Sequence, residues 1–220
     1  QAAAMKAVTI DQIKKLYQDM YNSTNATVAI VGDFDDKAIL GVLKQMLGDW
    51  KSPVAYDRAV DSYAASKPGI KKINTPDKTN AMMMAGLNVE FKDDNDDMAA
   101  MVIGNYILGG GFLNSRLAVR IRQKEGISYG VGSQFQPGQL DNSGMFVSFA
   151  IYNPENSEKL VSCLREELKR MVSEGITEQE LKDASSGYLQ SRKVSRSQDR
   201  ELVGRLNSYL FLSRDIFWDR

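Results

Sequence analysis

Apolar side chains recur at three- and four-residue spacing in the first 50 residues, which predicts two amphipathic helices. The first covers residues 9–21, with Thr9 as its N-cap. The second carries its apolar stripe over residues 38–47 and ends at Gly48. Between them, residues 26–31 form a continuous apolar run with β-branched members, the pattern of a strand buried on both faces. The order helix, strand, helix is therefore predicted.

Residues 51–69 lose this periodicity and accumulate proline and serine, which indicates a linker between two folded segments. Beyond the linker, strands are predicted at residues 70–74 and 80–91, followed by a helix that begins in the acidic run 93–97 and ends near Leu108. The methionines of the second strand, Met82, Met83 and Met84, are predicted to be core residues.

A short helix over residues 114–125 is expected to precede an antiparallel pair of strands at 128–135 and 144–152. Three helices follow. The first has its apolar stripe at residues 160–172, the second opens with a capping box of Thr177 and Glu180, and the third carries apolar positions at 202–210. The predicted fold class is α+β, with helices packed on one face of a mainly antiparallel sheet.

Composition removes several kinds of chemistry. The chain of 220 residues has no histidine, so it cannot supply imidazole as a general base or a zinc ligand. Its single cysteine, Cys163, excludes an internal disulfide. The 28 basic and 28 acidic residues cancel, and the basic stretch at 192–205 is interpreted as a solvated helix face, so nucleic-acid binding is not expected. No apolar run is long enough to insert into a membrane.

The densest stretch lies between Gly109 and Tyr129, where three glycines, a helix and the start of a strand follow one another closely. The helix presents three arginines, and its stop at Gly126 turns the chain so that Tyr129 returns beside Arg122. A guanidinium donates two parallel hydrogen bonds and a phenol donates one, which suits peptide carbonyls or an oxyanion. The three arginines are Arg116, Arg120 and Arg122.

Other interpretations of these residues stay open. Arg122 and Glu125 are spaced for a surface ion pair, and Tyr129 alone is compatible with a core aromatic. The triplet of Gly109, Gly110 and Gly111 follows a helix and lacks the Gly-Lys-Ser/Thr ending of a phosphate loop. Its expected role is structural, through positive φ and close backbone approach, and Gly126 is assigned to the same loop.

These residues resemble the signature in the non-zinc half of the M16 zinc metallopeptidases, a family that includes pitrilysin, insulin-degrading enzyme and the mitochondrial processing peptidase. The resemblance rests on the glycine triplet, on Ser115, Arg116 and Leu117, and on Arg122, Gly126 and Tyr129. It extends over residues 70 to about 213, and residues 8–50 are similar to the end of a preceding M16 domain. It implies an M16 (LuxS/metallohydrolase-like) fold.

The resemblance also implies roles. Tyr129 would hydrogen-bond the carbonyl region of the scissile bond, and Arg122 would help to hold the peptide. No metal or cofactor is expected in this chain, and zinc would lie in another half of the parent enzyme, bound by an inverted His-x-x-Glu-His motif. The expected partners are a peptide or protein substrate and that zinc-binding half, and the expected location is extracytoplasmic (periplasmic). The alternative function is a structural or assembly subunit with an M16-like fold and no catalytic role.

The resulting domain organisation has three parts: residues 1–50 as the end of a preceding M16 domain, 51–69 as linker, and 70–220 as an M16 C-terminal-type domain truncated before its closing helix and strand. We expect the chain to be a piece of a longer protein. An unpaired apolar strand invites pairing. The segment 28–31 is therefore hypothesised to dock on the second domain, in the same chain or in a domain-swapped homodimer.

Overall fold

A computed structural model describes residues 2–218 of the chain. The described residues form two compact units. One contains the residues up to Ala59 together with those from Ser195 onwards, and the other contains Val60–Val194. We call them the terminal unit and the central unit. The central unit holds the sheet and the segment from Gly109 to Tyr129.

The terminal unit is helical. Its helices are α1 (Ala2–Lys6), α2 (Ile10–Met20), α3 (Asp36–Leu47) and α7 (Asp199–Phe211). The predicted N-cap of α2 is confirmed: Gln12 N–H donates to Thr9 Oγ1 at 3.2 Å, and Thr9 N–H donates to Gln12 Oε1 at 2.9 Å. This reciprocal pair satisfies two backbone donors that a helix start otherwise leaves free.

The strands predicted at residues 26–31 and 70–74 are wrong, because neither segment has regular secondary structure. Val28, Ile30 and Ile70 are exposed instead. An apolar run becomes a strand only where a neighbour completes its ladder, and sequence pattern alone does not show whether that neighbour is present. Within the described part of the chain, residues 28–31 pair with no strand, so the same-chain form of the docking hypothesis is wrong, and pairing in a domain-swapped homodimer stays a prediction.

The sheet of the central unit has three antiparallel strands in the order β1-β3-β2. They are β1 (Ala81–Val89), β2 (Ser128–Gln136) and β3 (Gly144–Tyr152), which confirms the strands predicted at 80–91, 128–135 and 144–152. Met83 and Val131 both lie opposite Ala150, so these three side chains share one face of the sheet.

That face is covered by helices. The buried cluster combines Ala150 with Leu117 and Ile121 from the arginine-bearing helix and with Leu160 and Leu164 from α5 (Ser157–Glu174). Met83 packs against the cluster, whereas Met82 and Met84 are exposed on the opposite face. The prediction that all three methionines are core residues is therefore wrong for two of them, because side chains alternate between the faces of a strand.

The remaining helices of this part of the chain are α4 (Met98–Asn105) and α6 (Glu178–Arg196). Helix α4 continues directly into a π-helical turn, Tyr106–Gly110, and a second π-helical segment, Ala118–Lys124, precedes β2. π-helical segments are rare and are frequent at functional sites. The first overlaps the start of the stretch from Gly109 to Tyr129, and the second lies within that stretch.

Candidate functional site

Arg122 and Tyr129 lie side by side at the surface of the central unit. The Cζ atom of Arg122 is 5.2 Å from the centroid of the Tyr129 ring, within the range of a cation–π contact. Tyr129 is 84% exposed, so its hydroxyl is open to solvent, and Arg122 is half-buried. The structure therefore brings together the two residues that the sequence predicts to share a surface.

The turn between the two residues depends on Gly126. The π-helical segment that carries Arg122 ends at Lys124, and Gly126 then adopts a φ of +66°. A residue with a Cβ is disfavoured at this φ. After the turn, Ile127 N–H donates to Ile121 O at 3.2 Å, which returns the chain to the end of the helix and directs β2 away from it.

Tyr129 occupies a β-bulge in β2. Ser128 lies opposite Tyr152, and Gly130 lies opposite Ile151, the next residue of β3, so Tyr129 has no partner on the neighbouring strand. A bulge releases one residue from the ladder and changes the direction in which its side chain points. Nothing in the pattern of apolar residues predicts this bulge.

The glycine triplet ends the helix: Gly109 and Gly110 close the first π-helical turn, and Gly111 is its C-cap. A Cβ at Gly109 would stand 2.3 Å from the backbone nitrogen of Ser133, which means that the turn rests directly on β2. None of the three glycines has a positive φ, so only the close-approach part of the predicted role is observed. The positive φ, +52°, belongs to Phe112, whose side chain is 75% exposed.

Arg116 has a structural position that the sequence does not reveal. The sequence places it on the same helix as Arg120 and Arg122, and in the structure it is buried and forms a fork with Glu180. Its Nε donates to Glu180 Oε1 at 2.7 Å and its Nη2 donates to Oε2 at 2.8 Å. Nη2 also donates to Gly175 O at 2.8 Å, at the end of α5.

Glu180 is thus held between two groups. The predicted capping box is confirmed, since Glu180 N–H donates to Thr177 Oγ1 at 3.1 Å and Thr177 N–H donates to Glu180 Oε2 at 2.8 Å. Hydrogen bonds from Arg116 lower the pKa of the Glu180 carboxyl from its ordinary 4.5 to about 2, and bonds from Thr177 add to this, although burial opposes it. The same bond to Glu180 raises the pKa of Arg116.

The alternative of an ion pair between Arg122 and Glu125 is wrong. Glu125 pairs with Arg120 and with Lys159, and Arg120 also donates to Glu166 at 3.0 Å. Within residues 2–218, Arg122 has no carboxylate within ion-pair distance, so its N–H donors are not engaged by an acid. The Arg122 guanidinium, which has no acid partner within residues 2–218, and the exposed Tyr129 hydroxyl are therefore the groups available to hydrogen-bond a ligand.

The residues present do not fit zinc. The chain has no histidine, Cys163 is buried in the apolar cluster, and the described part of the chain contains no group of three or more candidate ligands from Cys, Asp and Glu. Among the same residues, no helix combines the length and the apolar character that a membrane crossing requires.

Comparison with known proteins identifies the family. A sequence profile described as the peptidase M16 inactive domain matches residues 7–188, most of the chain. The chain therefore belongs to the M16 peptidase family and represents its inactive type of domain. The predicted family and the predicted α+β fold class are both confirmed.

Three relatives give the extent of the likeness. The chain is 23% identical to a non-peptidase homolog, YmxG, of Helicobacter pylori, over 95% of the chain and 47% of that protein. It is 28% identical to an uncharacterized zinc protease of Streptomyces coelicolor, over 89% of the chain and 42% of that protein. The crystal structure of a peptidase M16 inactive domain from Pseudomonas fluorescens superposes with a TM-score of 0.81 at 27% identity, covering 99% of this chain and 51% of that one. The chain spans about half the length of these relatives.

Proposed function

We propose that this chain is the substrate-binding, zinc-free portion of an M16-type zinc metalloendopeptidase, in which Arg122 and Tyr129 hold an extended peptide and support the tetrahedral intermediate. One observation carries the proposal. An arginine that has no carboxylate partner among the described residues lies against a tyrosine that is 84% exposed, in a domain of a peptidase family.

The chemistry of the pair follows from its donors. The Tyr129 hydroxyl donates one hydrogen bond to a peptide carbonyl oxygen, and this bond strengthens when the oxygen gains negative charge in the tetrahedral intermediate. The Arg122 guanidinium keeps its N–H groups available for neighbouring carbonyls of the same peptide and adds positive charge beside the developing anion. The cation–π contact keeps both groups on one surface.

The parent protein must supply what this chain lacks. Because the chain has no histidine and no candidate metal cluster within residues 2–218, we expect no hydrolysis by the chain alone. The zinc and the groups that bind it belong to the proposed partner half. An extracytoplasmic location is part of the same proposal.

A binding experiment tests the proposal. Fluorescein-labelled β-casein, an unstructured polypeptide, is titrated with the chain and followed by fluorescence anisotropy. We expect Tyr129→Phe and Arg122→Gln each to raise the Kd about threefold to tenfold, the effect of one lost hydrogen bond. The matched control is Tyr56→Phe, because Tyr56 is also exposed and lies outside the site. Equal Kd values for all variants would refute the role of the pair.

A second function has support of its own. The relative from Helicobacter pylori is named a non-peptidase homolog, which favours a structural or assembly subunit. Zinc analysis and a casein-cleavage assay on the chain and on the full-length protein separate the two functions. Zinc and activity in the full-length protein alone support the peptidase, and their absence from both supports the scaffold.

A further inference from the structure

We propose that Ser128 is a positioning residue, whose hydroxyl holds the β-bulge that places Tyr129 beside Arg122. The effect of Ser128 on the position of Tyr129 does not depend on a bound ligand. Its consequence for peptide binding rests on the function proposed above.

The Ser128 hydroxyl contacts a carbonyl of each of the two strands at the bulge. Its Oγ is 2.8 Å from Ile151 O on β3 and 3.0 Å from Gly130 O, on the far side of Tyr129 in the same strand. Ser128 is only 5% exposed, so its single hydroxyl proton is shared between these two carbonyls in place of water. One side chain therefore connects the residue after Tyr129 to the neighbouring strand.

A bulge needs such a connection because it interrupts the ladder locally. The extra residue leaves the backbone groups around it without the regular exchange of N–H and C=O bonds, and buried groups of this kind are costly when they lack a partner. A hydroxyl proton at this point supplies a donor. It fixes the separation of Gly130 and Ile151, and with it the backbone from which Tyr129 projects.

The consequence reaches Arg122. Arg122 and Tyr129 belong to different segments on either side of the turn at Gly126, so their contact depends on the backbone at both ends. The π-helical segment is anchored in the core by Ile121 and by Leu117, the residue that precedes the segment, and this fixes one end. At the other end, Tyr129 is exposed and packs little of its own surface, so its position follows from the bulge.

The test compares two buried serines of the same sheet. Ser128→Ala removes the hydroxyl that bonds at the bulge. Ser148→Ala is the matched control, because Ser148 is equally buried on β3 and its Oγ has no hydrogen-bond partner among the described residues. In the isotope-labelled chain, NOE cross-peaks between the Tyr129 ring and the Arg122 side chain report their contact.

We expect Ser128→Ala to weaken these cross-peaks at least about twofold and Ser148→Ala to leave them unchanged. Unchanged cross-peaks in folded Ser128→Ala would overturn the inference. If Ser128→Ala does not fold, Ser128→Thr decides, because threonine keeps the hydroxyl. A normal Thr variant beside an unfolded Ala variant supports the inference, and a folded Thr variant without the cross-peaks overturns it.

Binding of labelled β-casein gives the functional readout. Because Ser128 acts through Tyr129, Ser128→Ala should raise the Kd in the wild-type background and change nothing further in the Tyr129→Phe background. An equal effect in both backgrounds contradicts the inference. If Tyr129→Phe leaves casein binding unchanged while Ser128→Ala still loses the NOE, the proposed function is wrong and the positioning role stands.

Discussion

Arg116 and Glu180, 64 positions apart in the chain, are joined by two parallel N–H···O bonds of 2.7 and 2.8 Å. This fork connects the segment that carries Arg122 to the start of α6, and the third bond of Arg116, to Gly175 O, includes the end of α5. Three elements around the candidate site are thus held at one buried guanidinium.

Stability should fall in acid because of Glu180. Its pKa in the folded chain is about 2, below its ordinary 4.5, so its contribution is present in full above pH 4.5 and is lost as the pH falls towards 2. The contribution is roughly 1–3 kcal/mol, a range that allows for solvent around the partly exposed carboxylate. Urea unfolding between pH 7 and pH 2 measures it. Glu180→Gln should show a shallower loss, and parallel curves would contradict the prediction.

Removing the guanidinium should be costly. Arg116→Met removes the guanidinium donors to Glu180 and to Gly175 O and leaves Glu180 with its bonds from Thr177, so we expect the free energy of unfolding to drop by about 2–4 kcal/mol. Lys15→Met, which removes the exposed pair with Asp19, should cost less than about 1 kcal/mol. The double variant Arg116→Met/Glu180→Leu should lose less than the sum of the two single changes. Strict additivity would mean that the fork is not an energetic unit.

Gly109→Ala should destabilise the chain, because the added methyl group meets the backbone nitrogen of Ser133 at 2.3 Å. Backbone cannot give way as a flexible side chain can, so a loss of about 1–3 kcal/mol is expected in thermal or urea unfolding. Gly104→Ala is the control. Its methyl group would lie 3.5 Å from Met171 Cε, an ordinary van der Waals contact. Because Gly104 lies within α4 and alanine favours the helix, this variant should be neutral or slightly more stable. Equal losses would point to a general intolerance of glycine replacement.

Tyr129→Phe should separate catalysis from stability. Under the proposed peptidase function of the full-length protein, we expect kcat to fall about tenfold to a hundredfold, because the proposed donor to the developing oxyanion is lost. The melting temperature should stay unchanged, since the side chain is 84% exposed and buries little surface. Steady-state kinetics on casein together with thermal unfolding measure both quantities. A normal kcat would assign Tyr129 a role other than transition-state support.

Much of the fold follows from local patterns. The capping boxes at Thr9 and Thr177, the helix stop at Gly126 and the three sheet strands are encoded within a few residues, and each is observed. The strands predicted at 26–31 and 70–74 failed because a strand needs a partner elsewhere in space. The burial of Arg116 has the same kind of cause, since Glu180 lies far away in the chain.

In the candidate site, too, some features follow from nearby residues and others depend on distant partners. The proximity of Arg122 and Tyr129 could be anticipated from the glycine between them. The bulge at Tyr129 and the hydroxyl of Ser128 could not, because a one-residue shift in register depends on how two strands meet. Whether the pair contacts a peptide stays a prediction.

The bulge also determines how β2 responds to deletions and substitutions. Deleting any paired residue inside β2 would reverse the faces of the strand around it, whereas deleting Tyr129 would restore uninterrupted alternation between Ser128 and Gly130. Pairing in the sheet therefore does not require a particular side chain at position 129. A substitution at position 129 would therefore change the chemistry of this surface and leave the pairing of the strands as it is.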